Sequence, residues 1–147
     1  MYIESKKNPR VKEWKKLHMK KGRDRSGLFL IEGYHMVEEA LAGNVEVVEV
    51  IFQERADLPL EWELDDIPLY AVTTSVLKEI SETQNPQGIA AVCRKRESSF
   101  SVEPDGKYLC IDAVQDPGNV GTMIRTADAA GLTAVILGEG CADPYNG

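Results

Sequence analysis

The chain has 147 residues, enough for one ordinary domain or for a small domain and part of another. Hydrophobic residues make up 43% and charged residues 28%, which excludes a disordered chain, and no apolar run approaches the roughly 20 residues of a membrane-spanning helix. A formal net charge of −7 weighs against a polyanion partner for the chain as a whole.

The charge is unevenly placed. Residues 1–25 carry ten basic side chains (Lys6, Lys7, Arg10, Lys12, Lys15, Lys16, Lys20, Lys21, Arg23 and Arg25) against three acidic ones, a net +7. The other 122 residues carry seven basic and 21 acidic side chains, a net −14. A basic end on an acidic body is a candidate contact for nucleic acid, and equally a solvated helix face. The opening MYIESKKNPR has no apolar stretch behind its charges, which argues against a secretory signal and favours the cytoplasm. Cys93, Cys110 and Cys141 form no C-x-x-C pair, so neither a disulfide scaffold nor a zinc pattern is expected. Each lies in or beside an apolar run and is expected to be a buried free thiol.

In chain order, Asn8-Pro9 opens a helix, with Asn as cap and Pro at the first helical position. Val11, Trp14, Leu17 and His18 form its inward stripe, and Lys12, Lys15, Lys16 and Lys20 fall mainly on the outside. Gly27–Gly33 (GLFLIEG) predicts a buried strand. Tyr34–Ala42 predicts a helix with Met36, Val37, Ala40 and Leu41 inward, stopped by Gly43. Val45–Phe52 is a β-branched strand. Residues 53–68, acidic and with Pro59 and Pro68, predict an irregular, exposed passage. Strands follow at Leu69–Val72 and Ile89–Cys93, separated by a helix that starts at Thr74 or Ser75 and runs through Ile80. Arg94, Lys95 and Arg96 either join the basic surface or merely end the strand.

The stretch ESSFSVEPDG at 97–106 reads as a linker. Tyr108–Val114 then predicts a strand, Asp116–Ala130 a helix and Thr133–Leu137 a second strand. That order is a βαβ unit with parallel strands. One such unit cannot cover both faces of a parallel sheet, so a partner chain or further sequence is expected to complete it.

The densest chemistry lies in DAVQDPGNVGTMIRTADAAG, residues 112–131. At about 100° per residue, Val120, Met123, Ile124 and Ala127 share one side of the helix, and Asn119, Thr122, Arg125 and Thr126 share the other. A helix that begins at the carboxyl end of a parallel strand points its free N–H groups into the usual ligand crevice of α/β sheets. Asn119 supplies a donor and an acceptor, and Arg125 a fork that fits phosphate or carboxylate. The same residues also suit a plain turn-to-helix opening. The G-x-x-G here is not the dinucleotide fingerprint. His18 and His35 stand alone, so no metal site is expected, and Trp14 and Trp62 read as packing groups.

The string DPGNVGTMIRTADAAG resembles the first signature motif of the SpoU (TrmH-type) RNA ribose 2′-O-methyltransferases of the knotted SPOUT superfamily. SKKNPRVKEWKKL, GLFLIEG and NPQGIAAV resemble the small RNA-binding domain that precedes the catalytic domain in many of these enzymes, and GEGCADPYN resembles the segment after the second catalytic-domain strand. The resemblance implies an α/β fold in two parts. A small ribosomal-protein-like RNA-binding domain would occupy 1–98, a linker 99–106, and the first βαβ part of a knotted, Rossmann-like methyltransferase domain 107–147.

It further implies 2′-O-methylation of RNA, rRNA or tRNA, with S-adenosylmethionine as methyl donor and a homodimer built through the complete catalytic domain. Asn119 matches the motif's active-site Asn, and Arg125 matches its Arg. The ten basic residues of the first segment would contact RNA. The two later motifs that hold the methyl donor have no counterpart here, so the isolated 147-residue chain is expected to bind no S-adenosylmethionine and to be inactive. The alternative is a non-catalytic RNA-binding module similar to small ribosomal proteins, which leaves Asn119, Arg125 and their glycines unexplained.

Overall fold

The computed structural model describes residues 1–97 and 101–145. The expected boundary between residues 98 and 99 and the final Asn146 and Gly147 lie outside them. The chain forms two compact units, one spanning Met1–Arg96 and one from Glu97 onward. Both are α/β.

The first unit is a five-stranded mixed sheet. Its strands are β1 (Tyr2–Ile3), β2 (Leu28–Glu32), β3 (Val47–Gln53), β4 (Leu69–Val72) and β5 (Ile89–Arg94). They lie in the order β1-β4-β3-β5-β2. β3 and β1 run parallel to β4, while β5 is antiparallel to both β3 and β2. Helices α1 (Pro9–Lys16) and α4 (Thr74–Ile80) cover one face, burying Val11, Trp14, Leu17, Val76, Leu77 and Ile80 against Ile51, Ala90 and Val92. Helix α3 (Tyr34–Ala42) covers the other face, with Val37 and Ala40 against Val50, Ile89, Ala91 and Cys93. Alternation along β5 therefore feeds two cores, and its five residues Ile89 to Cys93 are all buried.

The caps follow from local chemistry. The Asn8 side chain accepts from the Arg10 N–H at 2.9 Å, and Pro9 occupies the first turn of α1. Thr73 accepts from the Val76 N–H and opens α4.

Four expectations need correction. The basic helix does not continue to Lys20. It ends at Lys16, and a separate helix α2 runs from Lys20 to Ser26. The cause is tertiary: the Arg23 guanidinium donates to the carbonyls of Leu17 and His18, capping the end of α1, and His18 Nε2 donates to the Ile80 carbonyl at 2.7 Å. Met36 is 51% exposed, because the stripe centred on Val37 and Ala40 leaves it at the edge. The passage 53–68 is irregular but not all exposed. Leu58, Trp62, Leu64 and Ile67 pack on the α3 face, and the Trp62 ring lies 6.1 Å from that of Tyr34. Of the cysteines, Cys93 is buried, Cys141 is half-buried and Cys110 is exposed. Strand alternation accounts for Cys110, since it faces away from its neighbour Ile111, which is buried.

The second unit is the predicted βαβ, with β6 (Tyr108–Ile111), α5 (Pro117–Ala129) and β7 (Ala134–Leu137). β6 and β7 pair in parallel, Tyr108 opposite Ala134 and Ile111 opposite Leu137. Val120 and Ala127 are the buried residues of α5. β6 stops at Ile111, short of Val114, because Ala113 turns into the left-handed region at φ 53°.

Two outcomes follow. Helix α2 crosses the end of α1 so closely that a Cβ on Gly22 would overlap the Lys16 carbonyl. Overpacking outweighs the helix propensity gained, so Gly22→Ala lowers stability by about 1–2 kcal/mol, read as a lower urea midpoint. An unchanged or raised midpoint refutes this close approach. Burial also pushes the Cys93 thiol up to about 12, so almost no thiolate exists at neutral pH. At pH values well below that, an aromatic disulfide reagent modifies Cys110 in the native chain and Cys93 only after unfolding.

Candidate functional site

In the second unit, the loops that leave the carboxyl ends of β6 and β7 are laced together. The Gly138 N–H donates to the Ile111 carbonyl at 2.8 Å, and the Ala142 N–H to the Val114 carbonyl at 2.8 Å. Cys141 Sγ donates to the same Ile111 carbonyl. This edge is where open α/β sheets bind ligands. Ala113, a non-glycine residue at φ 53°, sits in the same loop, and such backbone concentrates at functional sites.

Helix α5 starts from that loop. The Asp116 carboxylate accepts from the Gly118 N–H at 2.9 Å and caps it, and Pro117 supplies the first helical position. Asn119, Thr122, Arg125 and Thr126 are exposed together. The two threonines turn back on the helix, Thr122 Oγ1 donating to the Gly118 carbonyl and Thr126 Oγ1 to the Thr122 carbonyl. Among the described residues the side chains of Asn119 and Arg125 make no hydrogen bond or ion pair. The structure thus brings the amide and the guanidinium onto one solvent-facing stripe. The hollow of about 340 Å³ beside α5 lies elsewhere, lined by Ile124, Ala127, Asp128, Leu132, Val135 and Leu137.

In the first unit the basic residues do not form one uniform surface. Arg10 Nη1 donates to Glu49 Oε1 at 2.8 Å, and the Arg10 guanidinium carbon lies 4.7 Å above the Tyr70 ring centre. Trp14 Nε1 donates to the other oxygen of Glu49 at 2.9 Å. Lys15 and Lys6 both pair with Glu79, and their hydrogen bond and charge hold that carboxyl below the usual range. Lys16 pairs with Glu13 on the helix surface. Arg23 is only 3% exposed and holds backbone carbonyls, so its place among the surface cations is corrected: burial removes it from contact with any macromolecule. Lys7, Lys12, Lys20, Lys21 and Arg25 are exposed and have no ion-pair partner among the described residues. Arg94 pairs with Glu46, and Lys95 with Asp24.

A groove of about 790 Å³ opens between α1 and α2. Sequence reasoning missed it because it missed α2. Gly22 inside a basic run was the available signal, since a small residue there permits helices to cross closely. Among the described residues no cluster of His, Cys, Asp and Glu is arranged to hold a metal, and no helix is long and apolar enough to cross a membrane.

Residues 8–91 match the model of the MRM3-like substrate binding domain, and residues 106–147 match that of the SpoU rRNA Methylase family. The chain is 51% identical over 145 residues to a Bacillus subtilis protein named 23S rRNA (guanosine(2553)-2′-O)-methyltransferase RlmP, covering 99% of this chain and 57% of that one. It is 30% identical over 134 residues to human mitochondrial rRNA methyltransferase 3, covering 84% of this chain and 31% of that one. The crystal structure of an rRNA methyltransferase from Sinorhizobium meliloti bound to AdoMet is similar at a TM-score of 0.82 and 31% identity, over 99% of this chain and 57% of that one. The chain therefore spans little more than half the length of the bacterial relatives it matches.

Proposed function

Because the chain belongs to the family of the MRM3-like substrate binding domain, with a SpoU rRNA Methylase match following it, we propose that it serves the S-adenosylmethionine-dependent 2′-O-methylation of ribose in rRNA. In this reading residues 1–98 bind the RNA, 99–106 link, and 107–147 begin the methyltransferase domain. The complete enzyme is a cytoplasmic homodimer. One observation carries the reading. Asn119 and Arg125 stand together on the exposed stripe of α5, without hydrogen-bond or ion-pair partners among the described residues, beside the carboxyl edge of a parallel strand pair.

A ribose 2′-hydroxyl is a poor nucleophile. A site must orient it and help its proton leave. Arg125 stays protonated, so its part is to hold an adjoining phosphate and to stabilise charge that develops on the hydroxyl oxygen. Asn119, six residues nearer the start of α5, supplies a donor and an acceptor that fix the sugar's orientation. S-adenosylmethionine supplies an electrophilic methyl group when bound. The described residues do not fit it. The hollow beside α5 is lined mainly by apolar side chains, with Asp128 its one charged group, and offers no polar cradle for both an adenosine and an amino-acid end. The isolated chain is expected to give no heat on calorimetric titration with S-adenosylmethionine.

The test uses the full-length gene product. Arg125→Ala is expected to lower the rate of 2′-O-methylation, read by mass mapping of the rRNA, by about 100-fold or more. Wild-type methylation by that variant would refute the role given to Arg125, and no methylation by the wild-type gene product would favour the non-catalytic RNA-binding module, a reading that the unpaired cations of the first unit alone would support.

A salt series on RNA binding tests the first unit. Neutralising Lys12 and Lys20 is expected to reduce the slope of log affinity against log salt by about 0.7–0.9 per residue. Neutralising Lys15, already held by Glu79, is expected to leave the slope nearly unchanged. Affinity independent of salt would overturn the RNA contact.

A further inference from the structure

The groove between α1 and α2 has a floor and a rim of opposite character. Its floor is the half-buried Leu28, with Trp14, Leu17 and Val92 buried in the core beneath it. Met19 stands at its mouth, 67% exposed, in the turn that joins the two helices. On the α1 wall, Arg10 is balanced by Glu49 and Lys16 by Glu13. On the α2 wall, Lys21 and Arg25 lie one helical turn apart, both exposed and with no ion-pair partner among the described residues. The groove is thus apolar below and positive along one side.

We propose that this groove seats an unpaired nucleotide of the RNA substrate, its base on the apolar floor and its phosphates on Lys21 and Arg25. The inference rests on the RNA-binding reading of the first unit and goes beyond it by naming the form of RNA and the place it docks. Charge complementarity selects the occupant. A polyanion is drawn to the free cations of α2 and to Lys20 beside them. A duplex would use those cations but has no apolar face to offer, because its bases are stacked inside. An unpaired base has such a face, and single-strand sites combine a cationic track with an apolar or planar platform in this way. A volume of about 790 Å³ lies within the usual range for a small-ligand site. Met19 is unbranched and polarisable, so it adapts to any base. The Arg25 guanidinium is planar and stacks as well as pairs.

The test compares this chain's affinity for a labelled RNA hairpin carrying unpaired nucleotides with its affinity for a fully paired duplex, alongside the Met19 methyl resonance in NMR. Wild type is expected to prefer the unpaired form and to shift the Met19 methyl, leaving Met36 and Met123 in place. Met19→Ala, at an exposed position that leaves the fold intact, is expected to weaken unpaired RNA about five-fold or more and to leave duplex binding unchanged. Lys21→Gln is expected to weaken both and to lower the salt slope. Should RNA bind with a salt-dependent affinity that Met19→Ala does not change, the groove assignment falls and the RNA-binding reading stands. Should neither RNA bind at low salt, that reading falls and takes the groove with it. A Met19 methyl that moves with an acidic amphipathic peptide but not with RNA overturns the proposal in favour of a protein partner.

Discussion

The carboxylate of Glu49 holds the first unit's basic helix in place. It reaches that position because the β3–β5 pairing shifts by one residue between Val47 and Glu49. A bulge of this kind sets neighbouring residues on one face of a strand, and here Val48 and Glu49 both meet the α1 side. One oxygen takes the Arg10 guanidinium and the other the Trp14 indole N–H. The side chain keeps 15% exposure, so these charge-assisted bonds are shielded from water on most sides, where each is worth about 1.5–3 kcal/mol. The edge-on contact of Trp14 with Tyr70 and the stacking of Arg10 over the same ring add a second tie to the sheet. This anchor adds a polar tie to the apolar packing of Val11, Trp14 and Leu17, which seats α1 and with it one wall of the groove.

The anchor also sorts the charge of the first 25 residues. Their +7 is a composition statement, and the structure divides it by partner. Arg10, Lys6, Lys15 and Lys16 are held by carboxylates, and Arg23 by carbonyls. Of the cations left without a carboxylate among the described residues, Lys20, Lys21 and Arg25 lie along α2, while Lys12 stands on α1 and Lys7 just ahead of it. Glu79 illustrates the cost of treating a charge run as one surface. It lies on α4, far along the chain, yet it engages both Lys6 and Lys15, and nothing within the basic segment announces that.

Much of the fold was legible because the signals were local. Asn8-Pro9 and Asp116-Pro117 mark helix starts by caps that bind N–H groups two residues on, and both act so in the structure, while the helix expected from Thr74 or Ser75 starts at Thr74 with Thr73 as its cap. The β-branched runs became strands. What failed depended on distant partners. The break between α1 and α2 falls in a run of good helix formers, and it is imposed by Arg23 and by the Ile80 carbonyl. β1 is two residues long and exists through its pairing with β4. Trp62, in an acidic, proline-bearing passage, reads as a packing group, but the α3 face on which it packs was not legible from that passage. In the second unit, the helical stripe of Asn119 and Arg125 followed directly from 3.6-residue periodicity. The left-handed turn at Ala113 did not, since no glycine marks it.

Three arginines show how far residue type goes toward function. Arg10 faces a carboxylate, so its charge is neutralised and its geometry is spent on packing. Arg23 is buried against carbonyls, and its donors are used to close a helix end. Arg125 is exposed on a helix whose neighbouring threonines have bonded back to their own backbone, and its fork is left open. A guanidinium already committed must break those bonds before it can take a phosphate, and it loses in that exchange much of what it gains. An open one avoids that loss. The chemistry proposed for α5 therefore depends less on the presence of an arginine than on its making no ion pair among the described residues.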